Sequence, residues 1–300
     1  MKQKNWRVYI ADAFAKELYG GNQAGVVILE DSQDFPEDII MCKIAGELKH
    51  SETAFVKRTA GNAFHIRYFT PAEEVELCGH ATIAAFSVLK KEGFIEAGVY
   101  ELLTKAQELV VQVGEDGIWM DMASPKEIYT FSRGEAAELY EAYGLEWQTP
   151  EGILGEVFLP KIVSTGLCDI ILPVRDRETL NRAVQNEQKV TELSEIYQVV
   201  GVHMFCLSEK EGVRAECRNF APLYAIPEES ATGTANGALT YYLYHYGIVE
   251  AESENIFFQG EAMGKPSYIK SILSLEGDEE KVKIGGTAVI SLKGELINGR

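Results

Sequence analysis

The sequence predicts a duplicated protein of mixed strands and helices, in which each half leads a β-hairpin into a buried, glycine-headed helix. Three observations carry this reading. Ile66, Tyr68 and Phe69 end a β-favouring run at Pro71; after a short acidic loop, Gly79-His80 opens an apolar segment, Ala81 to Leu89, that stops before Gly93. The R-x-F-x-P of Arg67 to Pro71 returns 151 residues later as Arg218-Asn219-Phe220-Ala221-Pro222, and Ala231-Thr232-Gly233-Thr234-Ala235-Asn236-Gly237 then opens a second apolar run to Tyr246. Phe55 and Phe205, 150 apart, extend the echo upstream. An offset near half of 300 residues is what a duplicated domain leaves behind. The halves are placed at 1–124 and 125–300, with the terminal strand free to cross between them.

In chain order, Trp6 to Phe14 is a first strand. Tyr19 to Gly25 is a glycine-rich turn before a strand over Val26 to Leu29, and it lacks the pattern of a phosphate loop. Asp34 to Leu48 is a helix, with Asp34 as cap, Pro36 in the first turn and Ile40, Ile44 and Leu48 as its buried face. Glu52 follows, where helix hands over to strand. Phe64 to Phe69 closes a hairpin through Thr59 to Asn62. Val99 to Val113 and Ile118 to Met122 are two strands turning at Gly114 to Gly117. Met122 to Pro125 begins the crossover. Glu135 to Tyr143 is a helix, Glu156 to Val163 and Asp169 to Val174 are strands, and the polar run from Arg175 to Ser194 is one solvated helix. Val199 to Leu207 and Val213 to Phe220 repeat the hairpin. Glu254 to Gly260 is a strand, and Val282 to Leu292 closes the chain with one or two more.

Hydrophobic residues at 46% and charged residues at 25% suit a globular protein, and the length suits two domains. A net charge of −18 argues against nucleic acid or an anionic membrane as partner. A small anion is still admissible, because helix N-termini oppose the global field locally. The five cysteines are odd in number and show no C-x-x-C spacing, which favours a reduced, cytoplasmic compartment and no structural zinc. Arg7 and Asp12 interrupt any signal-peptide core, and no apolar run is long enough to span a bilayer.

Asp12-Ala13-Phe14, Gly21-Asn22, Ser51-Glu52-Thr53, Phe69-Thr70-Pro71, Cys78-Gly79-His80-Ala81-Thr82, Arg218 to Pro222, Ala231-Thr232-Gly233 and Gly264-Lys265-Pro266-Ser267 together resemble the PhzF-like family. These are phenazine-biosynthesis-type isomerases of the diaminopimelate epimerase fold. The resemblance runs over nearly the whole chain in order. It implies an α+β protein of two pseudo-symmetric domains, each a curved mixed sheet around a central helix, with the site between them. It also implies a cofactor-free, metal-free enzyme, often a homodimer, acting on a small anionic metabolite.

Residue by residue, the resemblance makes Glu52 the group that moves a proton on a small, ring-shaped carboxylic acid. His80 matches the histidine of its G-H motif, and Glu229 matches the acidic residue before A-T-G. The family usually has aspartate there, so Glu229 carries an extra methylene, on the order of 1.5 Å of added reach. The chemistry suits these types: a base that keeps its proton and returns it elsewhere can be a carboxylate, given partial burial. The glycine-headed helices offer N–H groups for a substrate carboxylate or developing oxyanion. That makes the backbones of Gly79, Ala81, Gly233 and Thr234 candidate substrate contacts, with Asn22 at the edge. Two alternatives stay open. Related epimerases use one cysteine per half as opposed bases; Cys78 falls at the first place, but Thr232 holds the second, leaving a one-sided base or a buried inert thiol. The other is a binding protein without catalysis on the same scaffold.

Overall fold

The computed structural model describes residues 5–147 and 157–297. Internal packing divides the chain into two units. The first runs to Asp121 and is rejoined by the segment after Gly285, while the second spans Met122–Ile284.

In unit 1, β1 (Trp6–Ala13) pairs antiparallel with β2 (Asn22–Ile28), from Ala13↔Asn22 to Arg7↔Ile28. The turn between them ends at Gly21, φ 67°, where a Cβ would lie 2.3 Å from the Ala13 carbonyl oxygen; only glycine fits. Asn22 to Gly25 therefore belong to strand, not to the expected turn. Helix α1 is Asp38–Leu48, starting four residues later than expected, and Asp34 pairs with Lys57 instead of capping it. Its buried positions are Met41 and Ala45, while Ile40 is 38% exposed. Of the expected face, Ile44 and Leu48 pack half-buried against the same core, and only Ile40 turns outward.

Strand β3 (Thr53–Ala60) runs parallel to β2 and forms the expected hairpin with β4 (Ala63–Phe69). β5 (Glu74–Val75) pairs with the end of β4. Helix α2 (Gly79–Lys91) is buried continuously from His80 to Leu89. Its first eleven residues carry no acidic or basic group apart from His80, so every face can be covered, as befits a central helix. It ends at Gly93, φ 74°. Then come β6 (Gly98–Leu103), β7 (Glu108–Val113) and β8 (Ile118–Asp121), antiparallel in sequence. The long strand expected over Val99 to Val113 is two, because Thr104 Oγ1 takes up Gln107 in a tight turn.

Unit 2 begins with β9 (Lys126–Thr130) and α3 (Arg133–Glu141), the latter started by a Ser132–Glu135 capping box. β10 (Lys161–Ser164) pairs with β9 and β11 (Cys168–Pro173). The strand expected over 156–163 is thus shorter; residue 156 lies outside the described residues. The single helix expected over Arg175 to Ser194 is two, α4 (Arg177–Arg182) and α5 (Glu187–Tyr197). Ala183 turns to ψ 124°, and Asn186 starts the second helix by accepting from the Lys189 N–H. β12 (Gly201–Leu207) is parallel to β11 and antiparallel to β13 (Ala215–Ala221), which pairs with β14 (Ile226–Glu229). Helix α6 (Gly233–His245) is the second central helix, followed by β15 (Glu254–Gln259), β16 (Ser267–Glu276) and β17 (Glu279–Gly286). β16 was not anticipated. Finally β18 (Ala288–Leu296) pairs antiparallel with β1, within unit 1.

The repeated R-x-F is a structural device. Arg67 grips Glu74 through Nε and Nη2, both at 2.8 Å, with its guanidinium 5.1 Å from the Phe69 ring centre. Arg218 grips Glu228 the same way at 2.9 and 2.8 Å, 4.8 Å from the Phe220 ring centre. In each unit a two-pronged ion pair pins the loop that delivers the chain to its central helix.

Candidate active site

In unit 1, α1 ends at Leu48 and the chain reaches Glu52 one residue before β3. The Glu52 carbonyl accepts from the Gly25 N–H at 3.1 Å, which fixes this residue against β2. Its side chain, 16% exposed, places Oε2 3.2 Å from Nε2 of His80, the buried second residue of α2. That is ion-pair distance without hydrogen-bond alignment: Oε2 is buried and has no hydrogen-bond partner among the described residues. A desolvated carboxylate oxygen with spare lone pairs is a competent proton acceptor.

The helix start beside it is open. Cys78, the N-cap, contributes no side-chain cap bond, and a Cβ on Gly79 would meet only Met120 Sδ, at 4.0 Å. The expected Glu52–His80–Gly79 grouping is thus brought together. Ala81, expected to offer its backbone, is fully buried, and Asn22 is the buried first residue of β2.

Cys78 is buried, with Sγ 3.4 Å from Nδ1 and 3.9 Å from Nε2 of His80. Such similar distances put sulfur beside the ring, off the in-plane axis of either nitrogen. That is poor alignment for a thiol–imidazole proton relay. Glu52, Cys78 and His80 do offer three ligand atoms within 4.8 Å of one another, a donor set zinc favours. Yet the carboxylate faces Nε2 while sulfur lies nearer Nδ1, so one ion would need the side chains rearranged.

In unit 2, Glu229 ends β14, opposite Asn219, and its Oε2 accepts from Thr232 Oγ1 at 2.5 Å. Thr232 is the N-cap of α6 but spends its hydroxyl on Glu229 and so leaves the helix uncapped by its side chain. Gly233 is the buried first residue of α6, and the Thr234 carbonyl accepts from Thr165 Oγ1 at 2.9 Å. Glu229, Gly233 and Thr234 are therefore grouped at one helix start, as Glu52, Gly79 and His80 are at the other.

A buried polar cluster behind Glu229 escaped the sequence reading. Asp169, 1% exposed, leaves Oδ1 without a hydrogen-bond partner among the described residues. Burial, and then the charge of Glu229, push its carboxyl up to about 7. Burial also holds His203 neutral, down to about 4, despite the Asn219 and Asn236 side chains that favour its charged form. Its Nδ1 lies 3.0 Å from Asn219 Oδ1. Gln259 ties this cluster to Thr232 and Asn236. The available signal was partial: Asp169 and His203 interrupt otherwise apolar strands, whereas Asn219 sits in a strand that also carries Glu216 and Arg218.

Comparison with known proteins shows the family and the fold. The family described as "Phenazine biosynthesis-like protein" matches residues 11–294. The chain belongs to the phenazine biosynthesis-like family. An uncharacterized isomerase of Clostridium acetobutylicum is 34% identical, over 98% of this chain and 99% of that protein. A Bacillus anthracis phenazine biosynthesis protein of the PhzF family superposes with a TM-score of 0.86 at 28% identity, over 98% of this chain and all of the other. A probable proline racemase from Agrobacterium radiobacter, 10% identical with a TM-score of 0.64, covers 98% of this chain and 93% of that one and shows the shared fold alone. The protein is an α+β enzyme of the isomerase and epimerase type found in this family. Among the described residues, no helix is long and apolar enough to cross a membrane.

Proposed function

We propose that this enzyme shifts a proton within a small, ring-shaped carboxylic acid, with Glu52 as the acid–base group. The observation that carries the reading is the buried Glu52 Oε2, free of hydrogen bonds among the described residues, 3.2 Å from His80 Nε2 at an uncapped helix start. Glu52 takes a proton from carbon and returns it to another atom of the same substrate. His80 and the first N–H groups of α2 face the negative charge that develops meanwhile. Glu229, Gly233 and Thr234 are the second set of substrate-handling groups. Protein groups suffice for each of these steps, and a homodimer in the cytoplasm is the expected setting.

The test is deuterium wash-in from heavy water into a panel of small cyclic and acyclic carboxylic acids, read by NMR and mass spectrometry. Wild type exchanges at least one member, and Glu52→Gln lowers the rate about a hundredfold or more while keeping the fold. Full exchange in that variant would remove Glu52 from the mechanism.

A further inference from the structure

We propose that Gln259 is a positioning residue for Glu229, acting through the Thr232 hydroxyl. The inference rests on the reading of Glu229 as a substrate-handling group.

Gln259 is the last residue of β15 and is 1% exposed. All four hydrogen-bonding positions of its amide are occupied. Oε1 accepts from Asn236 Nδ2 at 2.8 Å and from the Thr232 N–H at 3.2 Å. Nε2 donates to the Glu229 carbonyl at 2.8 Å and to Thr232 Oγ1 at 3.2 Å. Backbone groups fix which end is which. The Thr232 N–H can only donate and the Glu229 carbonyl can only accept, so an inverted amide would set donor against donor and acceptor against acceptor.

This orientation has a consequence for the hydroxyl. Thr232 Oγ1 receives an N–H from Gln259, so its single proton is left to point at Glu229 Oε2, 2.5 Å away. The chain amide to hydroxyl to carboxylate runs in one direction only. It holds the longer arm of Glu229 in one rotamer, and it favours the charged carboxylate. The first half has no counterpart: Val75 and Cys78 stand where Glu229 and Thr232 stand, so the device belongs to unit 2.

Glu229 faces Asn219 across the β13–β14 pair, Thr232 from the start of α6, and the Asp169 carboxyl of β11, which keeps its proton up to about pH 7. Asp169 is the other titratable group that must be controlled. The experiment is a carbon-13 NMR titration of protein labelled at glutamate carboxyl carbons, with the Glu229 signal assigned by its loss in Glu229→Gln. Thr232→Val removes the hydroxyl at nearly constant shape, Gln259→Glu replaces the donor with an acceptor, and Thr232→Ser keeps the relay. The Glu229 midpoint rises by about one pH unit or more in Thr232→Val and Gln259→Glu, as loss of a hydrogen bond to a charged group requires, and returns to within a few tenths in Thr232→Ser. The same rise appears in an Asp169→Asn background. Midpoints unchanged in both Thr232→Val and Gln259→Glu, or a Thr232→Ser midpoint as high as that of Thr232→Val, would overturn the proposal. No substrate enters this measurement, so a failed deuterium screen and a failed relay are separately visible.

Discussion

Replacing Asp169 with asparagine has a consequence that can be worked out in advance. The carboxyl ionises near 3.8 in an unperturbed setting and at about 7 in the fold, because burial and then the Glu229 charge oppose its anion. Between these values the native state holds a proton that the unfolded chain has lost. Stability therefore falls as pH rises through that window, by about 1.4 kcal/mol per unit, and levels off above about 7. The whole effect is on the order of 4 kcal/mol. Asparagine keeps the shape and cannot ionise. The stability of Asp169→Asn minus that of wild type should be smallest near pH 4, climb through pH 5 and 6, and plateau near pH 8. Urea unfolding of both proteins at each pH measures it, and titrating groups that do not interact with Asp169 cancel in the difference. Adding Glu229→Gln to both should shorten the climb, since one of the two causes is gone. A difference that stays flat from pH 4.5 to 8 would mean that Asp169 is ionised in the fold and that its burial has been misread.

Other outcomes follow from single contacts. Arg218→Met leaves Glu228 half-buried without its two-pronged partner and removes donors to the Leu180 and Ala183 carbonyls; urea unfolding should show a loss of about 3–5 kcal/mol. Arg218→Lys should recover only a minor part, because an ammonium cannot make the fork. Gly201→Ala places a Cβ 2.0 Å from the Phe220 carbonyl oxygen, in a strand that cannot give way, and should abolish soluble folded protein as judged by near-ultraviolet circular dichroism. Cys78→Ala should keep deuterium exchange within about threefold of wild type, since its sulfur lies off both imidazole nitrogen axes. A loss of a hundredfold or more would make Cys78 the base.

The first hairpin and the two glycine-headed helices were legible because local chemistry agrees with tertiary demand; the R-x-F repeat was visible too, but its ion pairs with Glu74 and Glu228 were not. Ala81 to Leu89 is apolar on every face, so it can only be a core helix, and its glycine start and glycine stop mark it in any context. Asp34 misled as a helix cap, since α1 starts at Asp38 and Asp34 stands fully exposed beside Lys57, and the face of α1 was judged in part: Ile44 and Leu48 pack on the core, but Met41 and Ala45 are its buried positions. The break between α4 and α5 has no strong local signal: a polar run looks alike whether it is one helix or two.

Sequence by itself determined an α+β chain with two glycine-headed core helices, and it singled out Glu52 and Glu229 ahead of them, since glycine starts and apolar runs are local features. Only tertiary structure decided what surrounds those glutamates. Glu52 meets His80 from 28 positions away, and Gln259 reaches back 30 to hold Glu229. Such partners come from different strands and helices, and no local periodicity records which distant side chain will satisfy a buried polar atom.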